Sequence, residues 1–402
     1  MHTVVPNGTP GSPPSLHPAL PYRNADFIRG IGYISYSTNG TGYATYDQIA
    51  SNIAPSGANW VSIIPTCCQE TNQSTIISCN AIVNDARNSG YTPYDSDVVA
   101  AITKAHAAGL KVMLKPQIDV RTGYRGQIGF GTGTGSDTNW TTWFNSYKTN
   151  VIGRYGIIAQ TNNVEAFIIG TELVDTNTDP SCDPGISAQR GANWQVMVTY
   201  LRTLYTHKDK TGHELTKITY AANWGTYDCA EVKSVNWWGS LDYIGVDAYY
   251  PLTNAPGGIV DPAISPTVAD LIAGWTDVNA PVNVSNGIAP TTSLGQISAA
   301  NGNKKVLLTE VGYQSQHGTT QKPYGIYPET SAYFAEQANA FEATFQALAG
   351  QPWLVGMFWW GAFITDPPFD PSTDNNYPFY GKPAEGVLRN YYGAANPQPG
   401  RR

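Results

Sequence analysis

The sequence predicts a single (β/α)8 TIM barrel, an α/β fold, and three observations favour this class. Short apolar segments alternate with helical segments along the chain, which indicates a parallel sheet. Eight such units occur, the number that closes a barrel. The 402 residues exceed an average domain, but barrels commonly pass about 250 residues as one domain. An open doubly wound sheet is the alternative, which the lack of a glycine-rich phosphate loop after the first strand disfavours.

The predicted strands are short, largely apolar and bounded by polar or glycine-containing loops. In chain order they cover residues 28–36, 60–65, 111–119, 164–170, 218–224, 242–250, 305–313 and 354–363. Helical patterns lie between them at 99–108, 143–155, 194–207 and 331–348, and a closing helix follows at 382–392. The first of these helices stops at Gly109, a residue type that commonly follows a helix C-terminus.

The segment between the sixth and seventh predicted strands, residues 251–303, is unusually long. It contains one predicted helix at 267–275, and we interpret the rest as an elongated loop that walls or covers a cleft. Residues 1–24 are Pro-, Gly- and Ser-rich and are predicted to be a flexible N-terminal leader. The barrel is predicted to span residues 25–393, followed by a C-terminal tail at 394–402.

The composition is poor in charge and rich in aromatic rings. Charged residues make up 13% of the chain, against a usual value of about a quarter, and 11 Trp and 25 Tyr are present. This balance is typical of proteins that bind neutral, hydroxyl-rich ligands, and also of secreted proteins, which is the localisation we expect. A net charge of −7 without a basic run argues against a nucleic-acid partner. No apolar run approaches a membrane span, and a monomer is expected.

The five cysteines match no metal site by their spacing. Cys79 is predicted to pair with Cys67 or Cys68, and Cys182 with Cys229; free core thiols are the alternative. The six histidines form no metal-binding pattern, and no cofactor or metal is expected. No Gly-x-Ser-x-Gly motif is present, which disfavours a serine hydrolase.

Two predicted strands place a glutamate at their carboxyl ends. Glu172 follows the apolar run of the fourth strand, and Glu310 follows that of the seventh. The carboxyl ends of the strands form the reactive face of a parallel barrel, and these strands lie across it from each other. Both side chains are therefore predicted to face one cleft, although each could instead pair with a Lys or Arg.

Two carboxylates in one cleft are the equipment for glycoside hydrolysis. One donates a proton to the leaving oxygen, and the other attacks the anomeric carbon or activates water. Burial and mutual repulsion are expected to raise the pKa of the acid so that it stays protonated.

Further candidate substrate-binding residues follow other predicted strands at the same face. They are Tyr36, Lys115, Gln117, Asp119, Arg125, Asn223 and Trp224. An ion pair between Lys115 and Asp119 that shapes the loop is the structural alternative. Asp247, inside the sixth strand, is interpreted as a structural hydrogen-bonding group.

Eight pieces of the chain, in order, resemble glycoside hydrolase family 113, a group of β-mannanase-like enzymes among the retaining (β/α)8 glycosidases of clan A. They are ANWVSIIPT (58–66), AHAAGLKVMLKPQID (105–119), YRGQI (124–128), FIIGTEL (167–173), YIGVDAYYPL (243–252), LLTEVGY (307–313), FWWGAF (358–363) and GKPAEGVL (381–388). The resemblance covers roughly residues 25–393. It implies a barrel enzyme that acts on a β-linked glycan without a cofactor.

The resemblance also implies residue roles. Glu172 would be the general acid/base and Glu310 the nucleophile, with carboxyl groups about 5–5.5 Å apart. Tyr249 or Tyr250 would hydrogen-bond the nucleophile. Trp359 or Trp360 would form the platform under the sugar next to the cleaved bond.

Two positions depart from the pattern of such enzymes. Thr171 stands where many clan members have an asparagine that holds the sugar 2-hydroxyl, and Gln117 stands where the family commonly has histidine. Both positions contact sugar in these folds.

Taken with the two glutamates, the resemblance predicts a retaining β-glycoside hydrolase acting on β-1,4-mannan or glucomannan. The alternatives are a glucan, galactan or xylan specificity, or an inactive carbohydrate-binding barrel.

Overall fold

A computed structural model of the chain shows a closed barrel of eight parallel strands surrounded by helices. The structure describes residues 21–36, 41–45, 47–79, 92–132, 134–178, 184–208, 211–212, 216–255, 258–325, 331–365 and 370–394. Ten strands are present in these residues, and we number them β1–β10 in chain order. They are Ile28–Ser35, Trp60–Ile64, Thr66–Thr71, Lys111–Leu114, Gln117–Thr122, Ala166–Thr171, Lys217–Asn223, Ile244–Asp247, Val306–Val311 and Leu354–Ile364.

The barrel strands are neighbours in the order β1-β10-β9-β8-β7-β6-β4-β2, and β2 pairs with β1 to close the ring. The predicted closed (β/α)8 fold is therefore confirmed. The remaining two strands, β3 and β5, pair in parallel as a separate sheet. They continue the second and third barrel strands beyond Pro65 and Pro116, so this small sheet extends from the carboxyl end of the barrel.

The helices of the described residues follow the strands in the expected alternation. They are α1 Gly42–Thr45, α2 Asp95–Ala107, α3 Thr134–Tyr147, α4 Arg154–Thr161, α5 Pro184–Leu204, α6 Glu231–Ser234, α7 Val268–Thr276, α8 Pro290–Ala300, α9 Phe334–Leu348 and α10 Pro383–Tyr392. A wide helical turn, Lys148–Gly153, joins α3 to α4.

The long segment between β8 and β9 contains two helices, α7 and α8, where the sequence predicted one. A capping box between Thr267 and Asp270 starts α7, and Trp275 of this helix donates its indole N–H to Thr344 of α9 at 3.1 Å. The α8 sequence, PTTSLGQISAA, has few large apolar residues, so its periodicity is weak. Trp275 thus ties this segment to the helical layer.

The barrel interior is filled below the carboxyl ends of the strands. Its buried side chains are Ile28, Trp60, Met113, Ala166, Ile168, Ala221, Leu307 and Phe358. This packed layer leaves the polar strand ends above it as the place where a ligand can enter.

The predicted leader and tail lie mostly outside the described residues. Within the leader, Pro21–Arg23 forms a short helical turn whose Tyr22 is fully buried. The Tyr22 hydroxyl donates to the carbonyl of Phe345 at 2.6 Å. The chain is thus anchored to α9 before the barrel begins.

Of the two predicted disulfides, one can be examined. Cys79 is bonded to Cys67, which resolves the choice between Cys67 and Cys68. The Cys68 backbone exchanges two hydrogen bonds of 2.8 Å with Ser78, so β3 is braced beside the disulfide. Cys182 of the second predicted pair lies outside the described residues.

Gly245 in β8 is needed for close approach of the neighbouring strand. A Cβ atom there would lie 2.1 Å from the Tyr220 carbonyl oxygen. We therefore expect Gly245→Ala to lower the free energy of unfolding by about 1–3 kcal/mol, measured by denaturant titration.

Gly386→Ala is the matched control, because nothing lies within 4 Å of the added methyl group in α10. It should raise the free energy of unfolding by about 0.5–1 kcal/mol. Equal effects of the two changes would contradict the proposed packing constraint.

Candidate active site

A cleft of about 860 Å³ opens at the carboxyl ends of the barrel strands. Its lining combines carboxylates, amides, one guanidinium and several aromatic rings. The lining residues are Tyr36, Gln117, Asp119, Val120, Gly123, Tyr124, Arg125, Glu172, Asn223, Trp224, Tyr249, Glu310, Tyr324, Trp360 and Tyr377. The structure thus brings Glu172 and Glu310 into one cleft, as the strand positions indicate.

Glu310 lies near the end of β9 and is only 7% exposed. The Lys115 ammonium donates to its Oε1 at 2.5 Å, and the Tyr249 hydroxyl donates to its Oε2 at 2.6 Å. Both carboxylate oxygens therefore have a donor. Two close donors, one of them cationic, thus satisfy the Glu310 carboxyl group in a buried position.

Lys115 bridges two carboxylates. Its ammonium also donates to both oxygens of Asp247, at 2.8 and 3.0 Å, and Thr309 donates to the same aspartate at 2.7 Å. Burial alone would lower the pKa of Lys115, but Asp247 and Glu310 outweigh it and raise the pKa. A charged lysine thus neutralises part of the site. The alternative pairing of Lys115 with Asp119 is not what the structure shows.

Asp119 instead pairs with Arg125, whose guanidinium donates to it at 2.8 Å. The same guanidinium donates to Gln117 Oε1 at 2.8 Å, and the Gln117 amide donates to Thr66 at 3.2 Å. This chain of hydrogen bonds fixes three polar groups along one wall of the cleft. Their remaining donors and acceptors suit sugar hydroxyls.

Glu172 follows directly after β6 and has a backbone φ of 49°, unusual for a residue with a side chain. Such a conformation costs on the order of 1–3 kcal/mol and persists where the surroundings hold it. Its N–H donates to the Ala221 carbonyl at 2.8 Å. The Asn223 amide donates to its Oε1 at 2.8 Å, which fixes the carboxyl group.

The environment of Glu172 differs from that of Glu310. Burial raises the pKa of Glu172 to about 7, Arg125 opposes the rise, and the negative charge of Glu310 adds to it. Glu172 therefore holds a proton to near-neutral pH while Glu310 is paired with a cation. Two carboxyl groups in such different environments within one cleft can act as acid and nucleophile.

The aromatic candidates divide between cleft and core. Trp360 lines the cleft, whereas Trp359 is fully buried and stacks on Phe341 of α9 at 3.8 Å. Tyr249 reaches Glu310, whereas Tyr250 packs against Trp275 in the core. Alternation along β10 explains the division between Trp359 and Trp360, because neighbouring side chains of a strand point to opposite faces. Tyr249 and Tyr250 follow the end of β8, in a loop.

At the cleft edge, Trp224 stacks on Tyr324 with ring centroids 5.2 Å apart. Tyr324 is 51% exposed, so part of this aromatic surface is open to solvent. Tyr36 lies at the end of β1 and packs edge-on against Phe363.

Thr171 precedes Glu172 and is 1% exposed. Its hydroxyl is buried and has no hydrogen-bond partner within the described part of the chain.

Several site residues escaped sequence reasoning. Tyr124, Tyr324 and Tyr377 line the cleft from loops, where no strand pattern marks them. Glu231, buried at the start of α6, accepts hydrogen bonds from Tyr220 and Asn223, which contact Leu173 and Glu172. Only the YRGQI segment, which contains Tyr124 and Arg125, gave a signal.

Other kinds of site find little support in the part of the chain that the structure describes. There, no group of three or more His, Cys, Asp or Glu residues could hold a metal ion. Within the same residues, no helix has the length and apolarity required to cross a membrane.

A closed (β/α)8 barrel with a carboxylate-bearing, aromatic-lined cleft at its strand ends defines a glycoside hydrolase, and comparison with known proteins places this enzyme within that class. Residues 35–382 match the model of Glycoside Hydrolase Family 113. The chain therefore belongs to glycoside hydrolase family 113.

Solved structures agree with this assignment. A family 113 β-mannanase from Alicyclobacillus acidocaldarius is 25% identical over 93% of this chain and 99% of its own, with a TM-score of 0.68. A family 113 β-1,4-mannanase structure, at 22% identity over 92% of this chain and 100% of its own, also has a TM-score of 0.68. A family 5 mannosidase from Rhizomucor miehei, 12% identical over 92% of both chains with a TM-score of 0.54, shares the fold. A search of curated proteins found no match.

The buried Lys115 predicts a sharp mutational effect. Lys115→Met leaves Asp247 and Glu310 buried without their shared cation. Because breaking a buried ion pair on one side typically costs about 3–5 kcal/mol, we expect a loss of this order in unfolding free energy. We also expect kcat/KM on a glycan substrate to fall by at least about 100-fold, which is about 2.7 kcal/mol of transition-state stabilisation.

Lys382→Met is the matched control, because Lys382 is also a buried cation and donates to Asp374 at 2.6 Å, and neither residue is among those that line the cleft. It should lower stability without a comparable loss of kcat/KM. Wild-type activity in a folded Lys115→Met protein would show that the cation is dispensable for the site.

Proposed function

We propose that this enzyme hydrolyses β-1,4-linked mannan or glucomannan with retention of anomeric configuration. The observation that carries the proposal is the unlike environment of the two glutamates in one cleft. Lys115 and Tyr249 both donate to Glu310, while burial raises the pKa of Glu172 to about 7. The choice of mannan rests on the family and on similar structures described as β-mannanases.

In the first step, a Glu310 oxygen attacks the anomeric carbon and the bond to the leaving oxygen breaks. The proton of Glu172 passes to that oxygen, so the leaving sugar departs neutral. In the second step, Glu172 takes a proton from water, and the water oxygen displaces Glu310 from the anomeric carbon. The enzyme returns to its starting protonation state.

The cleft offers partners for each part of a bound sugar. Gln117 and Asn223 line the cleft and supply amides for sugar hydroxyls, whereas Thr171 is buried and is not among the residues that line the cleft. Trp360 supports the role of platform beneath the reacting sugar. Stacking an aromatic face on sugar C–H groups buries apolar area and leaves the hydroxyls free.

The stacked pair of Trp224 and Tyr324 supports binding of the leaving sugar. Trp224 follows Asn223, whose amide contacts the general acid, so the pair lies on the side where the proton is delivered.

A product analysis tests substrate and catalytic residue together. The wild type and Glu310→Ala are incubated with mannan, glucomannan, xylan, galactan and mixed β-glucan, and released oligosaccharides are separated. Products from mannan or glucomannan, made by the wild type only, are expected. Products only from another glycan would overturn the substrate assignment, and no products from any glycan would favour an inactive carbohydrate-binding barrel.

Azide tests the roles of the two glutamates. In Glu310→Ala, azide should enter the space of the lost nucleophile and give an α-glycosyl azide. In Glu172→Ala, azide should displace Glu310 from the glycosyl–enzyme and give a β-glycosyl azide. Proton NMR of the anomeric centre distinguishes the products, and the reverse pattern would exchange the two roles.

The pKa of Glu172 predicts the alkaline limb of activity. Glu172 must be protonated to act as acid, so kcat/KM should fall as pH rises through about 7, the value to which burial raises its pKa. The charged groups that act on it are Arg125, Glu310, Lys115 and Glu231.

The measurement is kcat/KM against pH with an unactivated aryl glycoside of manno-oligosaccharide. Glu172→Gln is the control, and its residual activity should lack this limb. An unchanged limb in Glu172→Gln would assign it to another group.

A further inference from the structure

Glu231 is a buried carboxyl group that the catalytic steps above do not use. It is 1% exposed, and three donors meet it. The Asn177 amide and the Tyr220 hydroxyl donate to its Oε1 at 2.9 and 2.6 Å, and the Asn223 backbone N–H donates to its Oε2 at 2.6 Å. Both oxygens of the carboxyl group therefore act as acceptors.

Two of these donors continue to Glu172. The Tyr220 hydroxyl accepts the N–H of Leu173, the residue after Glu172, at 2.9 Å. The Asn223 side chain donates to Glu172 Oε1 at 2.8 Å. One path thus holds the backbone beside Glu172, and the other holds its carboxyl group.

The third donor anchors Glu231 to the helical layer. Asn177 accepts the indole N–H of Trp237 at 3.0 Å, and Trp237 stacks on Trp194 of α5 with an interplanar angle of 9°. These rings are fully buried in the core. Glu231 therefore connects a buried, stacked aromatic cluster to the residues that follow β6.

Such an anchor matters because Glu172 has a positive φ of 49°. A residue in this region relaxes unless its surroundings hold it. Proton transfer needs the acid within hydrogen-bond distance of the leaving oxygen, and misplacement by about 1 Å can cost about 100-fold in rate.

We infer that Glu231 is a positioning residue that holds Glu172 in its proton-donating geometry through Tyr220 and Asn223. The inference rests on the proposed role of Glu172 as general acid. It assigns to α6, a helix of four residues outside the cleft lining, a part in the first chemical step.

Leaving-group dependence separates this role from general stability. Dinitrophenolate is a weak base and leaves from a glycoside without receiving a proton, whereas the more basic phenolate needs a proton from the acid to leave. In Glu231→Gln one acceptor oxygen becomes an NH2 group, which is itself a donor. Whichever way the amide is turned, this NH2 group faces either the Asn223 N–H or the two donors at the former Oε1. We expect kcat/KM to fall by about 10- to 100-fold on the phenyl glycoside and by less than about 3-fold on the dinitrophenyl glycoside.

Two variants control the measurement. Glu336→Gln alters another buried glutamate, which accepts from Gly318 N–H and from the N–H and hydroxyl of Thr320 at 2.7–3.0 Å outside the cleft lining. It should reduce stability and leave the ratio of the two activities unchanged. Tyr220→Phe removes the hydroxyl that links Glu231 to Leu173 and leaves the path through Asn223, so it should shift the ratio in the same direction as Glu231→Gln and by less.

The outcomes are distinct. Equal losses on both glycosides in Glu231→Gln and in Tyr220→Phe would overturn the inference and leave Glu231 a stabilising residue only. If Glu231→Gln does not fold, Tyr220→Phe decides the question alone. Absence of leaving-group dependence in Glu172→Gln itself would instead overturn the proposed role of Glu172, so the two failures can be told apart.

Discussion

The ammonium group of Lys115, enclosed by Asp247 and Glu310, is the interaction on which the reactive end of the barrel depends. The two carboxylates come from adjacent strands, β8 and β9, at paired positions. Two buried negative charges on paired positions of adjacent strands repel each other strongly, and each carboxylate also loses solvation energy when it is buried. A cation from the loop after β4 offsets both costs. The barrel can therefore hold two buried carboxyl groups where its strands are otherwise apolar.

The same hydrogen bonds give the two carboxyl groups different environments. Glu310 receives two close donors, one of them cationic, whereas Glu172 receives one neutral amide. Burial raises the pKa of Glu172, Arg125 opposes the rise and Glu310 adds to it. The hydrogen bonds that impose this difference run through residues far apart in the chain, so the closed topology is what makes them possible.

Much of this could be predicted from sequence because it depends on local pattern. Strand-end position identified Glu172 and Glu310, whereas the sequence left open which of Trp359 and Trp360 faces the cleft, and the structure places Trp360 there. The rest depends on contacts between distant segments. Glu231 lies 59 positions after Glu172 in the chain (231 − 172). Nothing in the sequence of its short helix, EVKS, indicates that it belongs to the site. The partners of Lys115 depend on such contacts too: the sequence offered Asp119 as an ion-pair alternative, whereas the structure pairs Lys115 with Asp247 and Glu310.

The positive φ of Glu172 has a consequence for the evolution of this enzyme. Glycine at that position would remove the backbone strain, the buried carboxyl group and the repulsion of Glu310 in one change. With Glu172 in its proposed role as acid, selection for thermal resistance alone would favour its loss, whereas selection for turnover would keep it. Stability and activity then conflict at this residue, and a more stable enzyme would gain its stability at positions away from the cleft.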